Sequence, residues 1–233
     1  MIIYKNVYNC EYLQKRIYLP LSIKMYIFVK NINMFAILTG DIINSREVKN
    51  TAWLPILKEE LNKIGSSPID WEIYRGDSFQ IKTTAEKALK TALLLKSSIK
   101  MINNLDIRIG IGLGKISFQS DKITESNGEA FINSGSCFEN LKKHTLHIKS
   151  PSKSFDTVMN LLLEAINLTT DNWSKSQASY VKASLENPNK TQKELAKLLD
   201  KRQSYISIGL KRAGFDEVEK ILNFYTNQIK LIC

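Results

Sequence analysis

Two Gly-Asp dipeptides stand at the ends of apolar runs in the first half of this 233-residue chain. Asp41 follows the run in "ILTGDIINS", and Asp77 lies between "WEIY" and "SFQIKTT" in "YRGDSFQ". If folding brings the two carboxylates together, they and a backbone carbonyl, such as that of Ile42, supply hard oxygen ligands. Such ligands suit Mg²⁺ or Mn²⁺ carrying a triphosphate. The alternative is a pair of turn aspartates that cap strand ends.

The residues that flank the two aspartates are suited to a phosphate group. Gly40 and Gly76 have no side chain, so a phosphate can approach the backbone closely there. The loop that runs from "TGD" to "NSR", with Asn44 in it, would present backbone N–H groups to the phosphates. A bound ion neutralises phosphate charge and can activate a hydroxyl for in-line attack. The pattern therefore predicts a metal–nucleotide site.

Strand and helix signals alternate over residues 34–150. Strands are predicted at "FAILTG", "WEIY", "SFQIKTT", "IRIGIGLGKISF" and "HTLHIKS", and helices at "TAWLPILKEELNKIG", "AEKALKTALLLKSSIKMINN" and "GEAFINSGSCFENLKK". The order βαββαβ, then αβ, predicts an α+β fold: a ferredoxin-like palm, with an antiparallel sheet and helices on one face. In a palm the end of the first strand lies beside the tip of the central hairpin, which would place Asp41 near Asp77.

A small all-α region is predicted for residues 155–233, after a turn at 150–154. Residues 191–213, "TQKELAKLLDKRQSYISIGLKRA", have the pattern of a helix-turn-helix. Thr191 and Glu194 can form a capping box, and Ser204 can cap the second helix. Ile206 and Leu210 fall on its buried side. The positions predicted to contact DNA are Lys201, Arg202, Gln203, Ser204, Tyr205, Ser207 and Lys211. The alternative is an ordinary helical hairpin packed on the palm.

The net charge and the number of cysteines indicate which kinds of partner and which cellular compartment to expect. The net charge of +10 favours an anionic partner, nucleic acid first and a membrane surface second. Residues 171–233 hold 11 Lys/Arg and 7 Asp/Glu, so +4 of this excess lies in the C-terminal region. Three widely separated cysteines favour a reducing, cytoplasmic location without a structural metal. His144 and His147 fall out of phase on the last predicted strand, so a structural role is expected for both.

Residues 1–33 differ in texture from the rest of the chain. They carry five Lys/Arg and one acid, and their apolar stretch "IYLPLSI" is too short to span a bilayer. Our hypothesis is that Met34 is the native start and that residues 1–33 are an extension outside the folded domain.

Four blocks along the chain carry a resemblance to a known family. "GDIINSR", "YRGDSFQ", "RIGIGLG" and "NGEAFINSG", in this order and spacing, resemble the SatD family, a bacterial group with a palm-like domain and a C-terminal helix-turn-helix. More distantly, the blocks are similar to class III nucleotidyl cyclases and the GGDEF palm. The resemblance covers residues 34 to about 142, and the helix-turn-helix extends it to the C-terminus.

The resemblance implies roles for single residues. Asp41 and Asp77 correspond to the two metal-binding aspartates of the cyclases, and Asn133 corresponds to the asparagine that orients the ribose. The transition-state arginine of the cyclases falls on Cys137, which cannot stabilise negative charge on phosphate. Their purine-selecting lysine falls on Ile73. Substitutes for these groups could come from the nearby Arg75, Arg108 or Lys142. Because the metal-binding half of the site is kept and the transition-state half is not, the resemblance implies nucleotide binding more than turnover.

These observations predict a regulatory protein in which a metal–nucleotide palm is coupled to a DNA-binding helix-turn-helix. One alternative is an enzyme, a divergent Mg-dependent nucleotidyl cyclase or nucleotidyltransferase. Another is a catalytically inactive palm that acts as a dimerisation scaffold. A homodimer is expected, because helix-turn-helix proteins often pair for two half-sites.

Overall fold

The computed structural model describes residues 34–232. The predicted extension at residues 1–33 lies outside the described residues. Five strands form one sheet in the order β2-β3-β1-β4-β5. Their bounds are β1 Phe35–Ile43, β2 Trp71–Tyr74, β3 Ser78–Thr84, β4 Asp106–Gly114 and β5 Leu146–Lys149. The α-helices of the described residues are α1 Asn50–Asn62, α2 Ala88–Lys100, α3 Glu129–Glu139, α4 Lys153–Thr170, α5 Lys175–Glu186, α6 Gln192–Leu198, α7 Gln203–Arg212 and α8 Phe215–Ile232.

The predicted α+β class is confirmed. The first four strands pair antiparallel in the order β2-β3-β1-β4, which is the arrangement of a ferredoxin-like βαββαβ unit. The fifth strand departs from the expected antiparallel pattern, because β5 runs parallel to β4. A parallel neighbour requires a crossover, and α3 supplies it.

Helices cover both faces of the sheet, whereas the sequence predicted helices on one face. Alternate residues of β4 explain the difference, because Ile109 and Ile111 belong to the main core with α2 while Gly110 and Gly112 face the other way. A Cβ atom at Gly112 would lie 2.1 Å from the backbone nitrogen of Ser134 in α3. The glycines of "RIGIGLG" therefore form a flat surface on which α3 lies, and α1 and α2 keep the predicted face.

The C-terminal helices pack against the palm. α4 packs on β5, α5 packs on α2, and the Tyr225 hydroxyl of α8 donates to the carbonyl oxygen of Ala85. One cluster of buried apolar side chains runs from Ala36 in β1 to Ile229 in α8. The predicted boundary near residue 150 stays a prediction, and the hydrophobic core crosses it. Among the described residues, no helix has the length and apolar character needed to cross a bilayer.

Candidate nucleotide site and DNA-binding surface

Neighbouring strands bring Asp41 and Asp77 to the same end of the sheet. Asp41 pairs with Ser78 of β3, the residue that follows Asp77, and on its other side it pairs with Arg108 of β4. The negative charges of both aspartates raise the pKa of the Arg108 guanidinium. The register of β1 between β3 and β4 thus brings the backbones of Asp41 and Asp77 to one end of the sheet, and a shared ion between the two carboxylates stays a prediction.

Arg108 occupies the centre of this cluster. Its Nε donates to Asp41 Oδ1 at 3.0 Å and its Nη2 donates to Asp41 Oδ2 at 2.5 Å. This two-pronged hydrogen bond is the main reason that the pKa of Arg108 lies above its ordinary value, and partial burial acts in the opposite direction. The guanidinium also lies over the ring of Phe138, 5.5 Å from its centroid. A cation that binds Asp41 must therefore compete with Arg108.

Asp77 is held by a different partner. Its Oδ2 accepts a hydrogen bond from the hydroxyl of Ser45, a buried residue in the loop between β1 and α1. The loop and the hairpin tip are thereby joined at the site. Tyr74 lies at the rim, where burial first and then the charge of Asp41 raise the pKa of its phenol. Sequence reasoning gave no role to Ser45 or Tyr74, although they lie within the quoted blocks "GDIINSR" and "YRGDSFQ".

Arginine is concentrated around the two aspartates. Every arginine between residues 34 and 170 lies here: Arg46 follows Ser45, Arg75 stands in the β2–β3 turn, and Arg108 is on β4. Arg46 and Arg75 are exposed. Guanidinium groups present a planar fork of donors that matches phosphate oxygens. The cluster can therefore receive an anionic group together with a cation.

Gly40 and Gly76, which precede the two aspartates, are glycine for different structural reasons. A Cβ atom at Gly40 would lie 2.5 Å from the ring of Phe79 and 2.5 Å from the carbonyl oxygen of Arg108. Gly40 is thus required by core packing and does not open a path to a phosphate. Gly76 has a φ of +92° and follows Arg75 with a φ of +53°, as in a tight hairpin turn. No atom lies within 4 Å of a Cβ at Gly76, so this side is open.

The loop after β1 begins with a left-handed residue. Asn44 has a φ of +61°, and its amide donates to the carbonyl oxygen of Asn104 at 3.0 Å. The side chain of Ile42 is buried in the core, and the ladder between β1 and β3 ends one residue earlier, at Asp41. The backbone beside Ile42 is therefore beyond the pairing with β3.

Asn133 lies away from the two aspartates. Its buried amide donates to the carbonyl oxygen of Leu113 at 2.8 Å, toward the far end of β4. Leu113 is five residues from Arg108, roughly 16 Å along a strand. The structure does not bring Asn133 to the site, because α3 runs along β4 and only its C-terminal end reaches Arg108. Cys137 is also buried, and burial raises its pKa to about 12.

A groove opens at the same end of the sheet. It has a volume of about 580 Å³ and is lined by apolar side chains, including those of Val48, Ile56 and Met101. Asn104, which accepts the hydrogen bond from Asn44, borders it, and so does Lys175 at the first turn of α5. A volume of this size is typical of small-molecule sites.

The first helix of the predicted helix-turn-helix ends in a Schellman motif. Thr191 and Glu194 form the predicted capping box at the start of α6. At its end the N–H of Lys201 donates to the carbonyl of Ala196, and Asp200 has a φ of +50°. Asp200 stands where glycine is common because a short polar side chain tolerates the left-handed conformation.

The second helix, α7, begins at Gln203, one residue before the predicted cap. Arg202 holds the cap position without a side-chain hydrogen bond, so the prediction that Ser204 caps this helix is wrong. Ile206 and Leu210 are buried as predicted. Gly209 packs against Tyr180 of α5, where a Cβ atom would lie 2.4 Å from the ring. Close packing on α5 fixes the orientation of α7.

The outer face of the α6–α7 unit is basic. Of the seven residues predicted to contact DNA, Ser207 is half-buried and the others are exposed. Sequence reasoning omitted Ile208 and Arg212, which are exposed on the same helix. Residues 190–212 hold seven Lys/Arg, all exposed, and two acids, a net charge of +5.

The sequence profile of the SatD family matches residues 35–221. The chain belongs to the SatD family. The match covers the whole palm and continues through α7, so the aspartate cluster and the α6–α7 unit both fall within the extent of the SatD family. A search of curated proteins finds no match to this SatD family chain.

Proposed function

We propose that this SatD family protein is a DNA-binding regulator whose palm responds to a metal–nucleotide. The observation that carries the DNA half is the exposed, basic outer face of the α6–α7 unit, whose first helix ends in a Schellman motif. Lys201 and Arg202 stand at the N-terminus of α7, where they would contact phosphates. Gln203 and Tyr205 would reach base edges from the first turn.

The first prediction tests this surface. In Lys201→Ala with Arg202→Ala, we expect weaker binding to a 20-base-pair duplex, because two phosphate contacts are lost. The slope of log K against log salt should fall by about two. Fluorescence anisotropy over a range of salt concentrations measures both quantities.

A matched control for this variant changes two exposed lysines of the palm. Lys58→Ala with Lys87→Ala removes the same charge from positions where the structure gives no ion pair within the described residues. If both double variants lose affinity equally, the effect comes from net charge and the proposed surface is wrong. A library of random duplexes enriched by the protein would supply the preferred sequence, and two half-sites would indicate the expected homodimer.

The nucleotide half rests on two aspartates at one end of the sheet, of which Asp41 binds Arg108, with Arg46 next to Ser45 and Arg75 next to Gly76 in the chain. A Mg²⁺ or Mn²⁺ ion would take carboxylate oxygens of Asp41 and Asp77, with the carbonyl of Ile42 within the ligand set. Arg108, released from Asp41, would turn to the phosphates together with Arg75 and Arg46. The exchange keeps every charge paired, because the ion takes the place of the guanidinium at Asp41.

The groove beside Asn44 supplies a route from the palm to α7. A base held against Val48 and Met101 would also contact Lys175 at the start of α5. α5 carries the ring of Tyr180 that packs on Gly209 of α7. A ligand that shifts α5 would therefore change the orientation of the DNA-binding helix.

The second prediction concerns the metal–nucleotide. We expect MgATP or MgGTP to raise the melting temperature of the full chain, and Asp77→Asn to remove the increase, because the ion loses one carboxylate ligand. Asn at position 77 still accepts the hydrogen bond from Ser45. Asp121→Asn, at an exposed position away from the site, is the control and should keep the increase. An equal increase in all three proteins would contradict the site.

The same samples distinguish the enzyme alternative. A divergent cyclase or nucleotidyltransferase would release pyrophosphate from the nucleoside triphosphate, and liquid chromatography of the mixture would detect the product. No increase in melting temperature with any nucleotide would favour the inactive dimerisation scaffold instead.

A further inference from the structure

Both histidines of the chain lie against one glutamate of α4, at the last strand of the sheet. The rings of His144 and His147 stack with their centroids 4.7 Å apart and an interplanar angle of 23°. The Nε2 atoms lie 3.8 Å and 3.1 Å from Oε1 of Glu164 in α4. The sequence predicted that both histidines lie on one strand with their side chains on opposite faces. This prediction is wrong, because β5 begins at Leu146 and His144 belongs to the preceding turn.

The side-chain amides of two asparagines in α4 bond to the backbone of β5 and fix the position of Glu164 relative to the histidines. Asn160, one turn before Glu164, donates to the carbonyl of Ile148 and accepts from its N–H, at 2.9 and 2.8 Å. Asn167, one turn after Glu164, donates to the carbonyl of Leu146 at 3.4 Å. These bonds fix the face of α4 that meets β5. Hydrogen bonds from the side chains of Asn160 and Asn167 to the backbone of β5 therefore place Glu164 against the two imidazoles.

The Nε2 atom of His147 is buried, and within the described residues it makes no hydrogen bond of acceptable geometry, although Glu164 Oε1 is close. A buried ring nitrogen without a well-formed hydrogen bond is costly unless another partner is present. A cation bound by both His147 Nε2 and Glu164 Oε1 would give the ring nitrogen a partner. Two ligands at 2.0–2.1 Å from a tetrahedral ion lie roughly 3.3 Å apart, between the two N···O distances observed.

We propose that His144, His147 and Glu164 form a binding site for a late first-row divalent cation, with Zn²⁺ as the principal candidate. Two imidazoles and one carboxylate are the donors that such ions prefer, whereas Mg²⁺ prefers oxygen alone. The three ligand atoms all lie within 4.8 Å of one another. The side chain of Glu164 is 43 % exposed and those of the histidines are 24 % and 16 % exposed, so the ion enters beside the glutamate and keeps a position open to water. The bound ion would join β5 to α4.

The test uses the full chain without an affinity tag, stripped of metal by a chelator. Titration with Zn²⁺ should raise the melting temperature and saturate at one ion per chain, while Mg²⁺ at the same concentrations should not. Glu164→Gln should weaken the Zn²⁺ affinity by about tenfold or more. Glu139→Gln, an exposed glutamate at the end of α3, is the control and should bind as the unchanged chain does.

A spectroscopic measurement separates this site from binding by thiols. The chain has only two histidines, so two imidazole spin systems in a nitrogen-15 NMR spectrum report on the site directly. Both should shift on addition of Zn²⁺. Binding that leaves both imidazoles unchanged, or that survives Glu164→Gln at full affinity, would overturn the proposal. If Glu164→Gln is unfolded by circular dichroism, His144→Asn takes its place, with the same outcomes.

Discussion

Cys137 illustrates how one residue changes meaning between sequence and structure. By resemblance it stands where cyclases have an arginine, yet its side chain is buried between α3 and β4 and does not face the aspartates. The arginine that binds Asp41 is Arg108, on the neighbouring strand. Sequence reasoning named Arg108 among three substitutes. Only the register between β1 and β4 selects it.

The third prediction concerns the Cys137 thiol. Burial raises its pKa to about 12, above the 9.0 of an accessible cysteine, so the reactive thiolate is scarce in the folded protein. At pH 8 we expect iodoacetamide to leave Cys137 unmodified in the native chain and to modify it in urea, as measured by peptide mass mapping. The folded state holds this proton more tightly, so the contribution to stability is present below pH 9 and is lost as the pH rises toward 12. Rapid alkylation of native Cys137 would contradict its burial.

At the scale of elements, α3 packs closely on β4 because β4 has glycines on the face that meets α3. The apolar alternation of "RIGIGLG" predicted a strand, and the strand is present as Asp106–Gly114. The sequence did not predict that the other face of β4 is also buried, because Gly110 and Gly112 have no apolar side chain that would indicate burial. The backbone of α3 occupies the space that those side chains would fill.

The fourth prediction compares two glycines of this pair of elements. Gly112→Ala places a Cβ atom 2.1 Å from the backbone of α3, so α3 must shift, and the free energy of unfolding should fall by about 1–3 kcal/mol. Gly135→Ala lies within α3, with no atom within 4 Å of the new Cβ, and should raise it by up to about 1 kcal/mol. Urea denaturation measures both values. Equal effects of the two changes would show that α3 is not in contact with β4.

At the scale of the whole molecule, the C-terminal helices share their core with the palm. Lys96 of α2, almost fully buried, forms ion pairs with Asp106 of β4 and with Asp171 after α4, each at 2.8 Å. Lys182 of α5 pairs with the buried Glu60 of α1. Charges buried between the two regions make their separation costly, because each would lose its partner. The palm and the C-terminal helices are therefore joined by buried ion pairs as well as by a shared core.

The fifth prediction is that the palm and the C-terminal helices unfold in one transition. Trp53 and Trp71 report on the palm, and Trp173 reports on the contact between α4 and α7 through its hydrogen bond to the carbonyl of Ala213. In urea, the fluorescence of Trp53→Phe with Trp71→Phe and the circular dichroism of the same protein should change at one midpoint. Two separated midpoints would show that the predicted boundary near residue 150 divides two independent units.

The sequence by itself determined the order and type of the elements, because hydrophobic periodicity and capping residues act over a few neighbours. The capping box at Thr191 and the strands around the two Gly-Asp dipeptides are of this kind. Only the tertiary structure decided which side chains meet across long separations. The pairing of Arg108 with Asp41, the far placement of Asn133 and the meeting of Glu164 with two histidines depend on strand register and on helix faces. These contacts join residues that are far apart in the chain, and a local pattern of side chains does not specify which distant residue each one will meet.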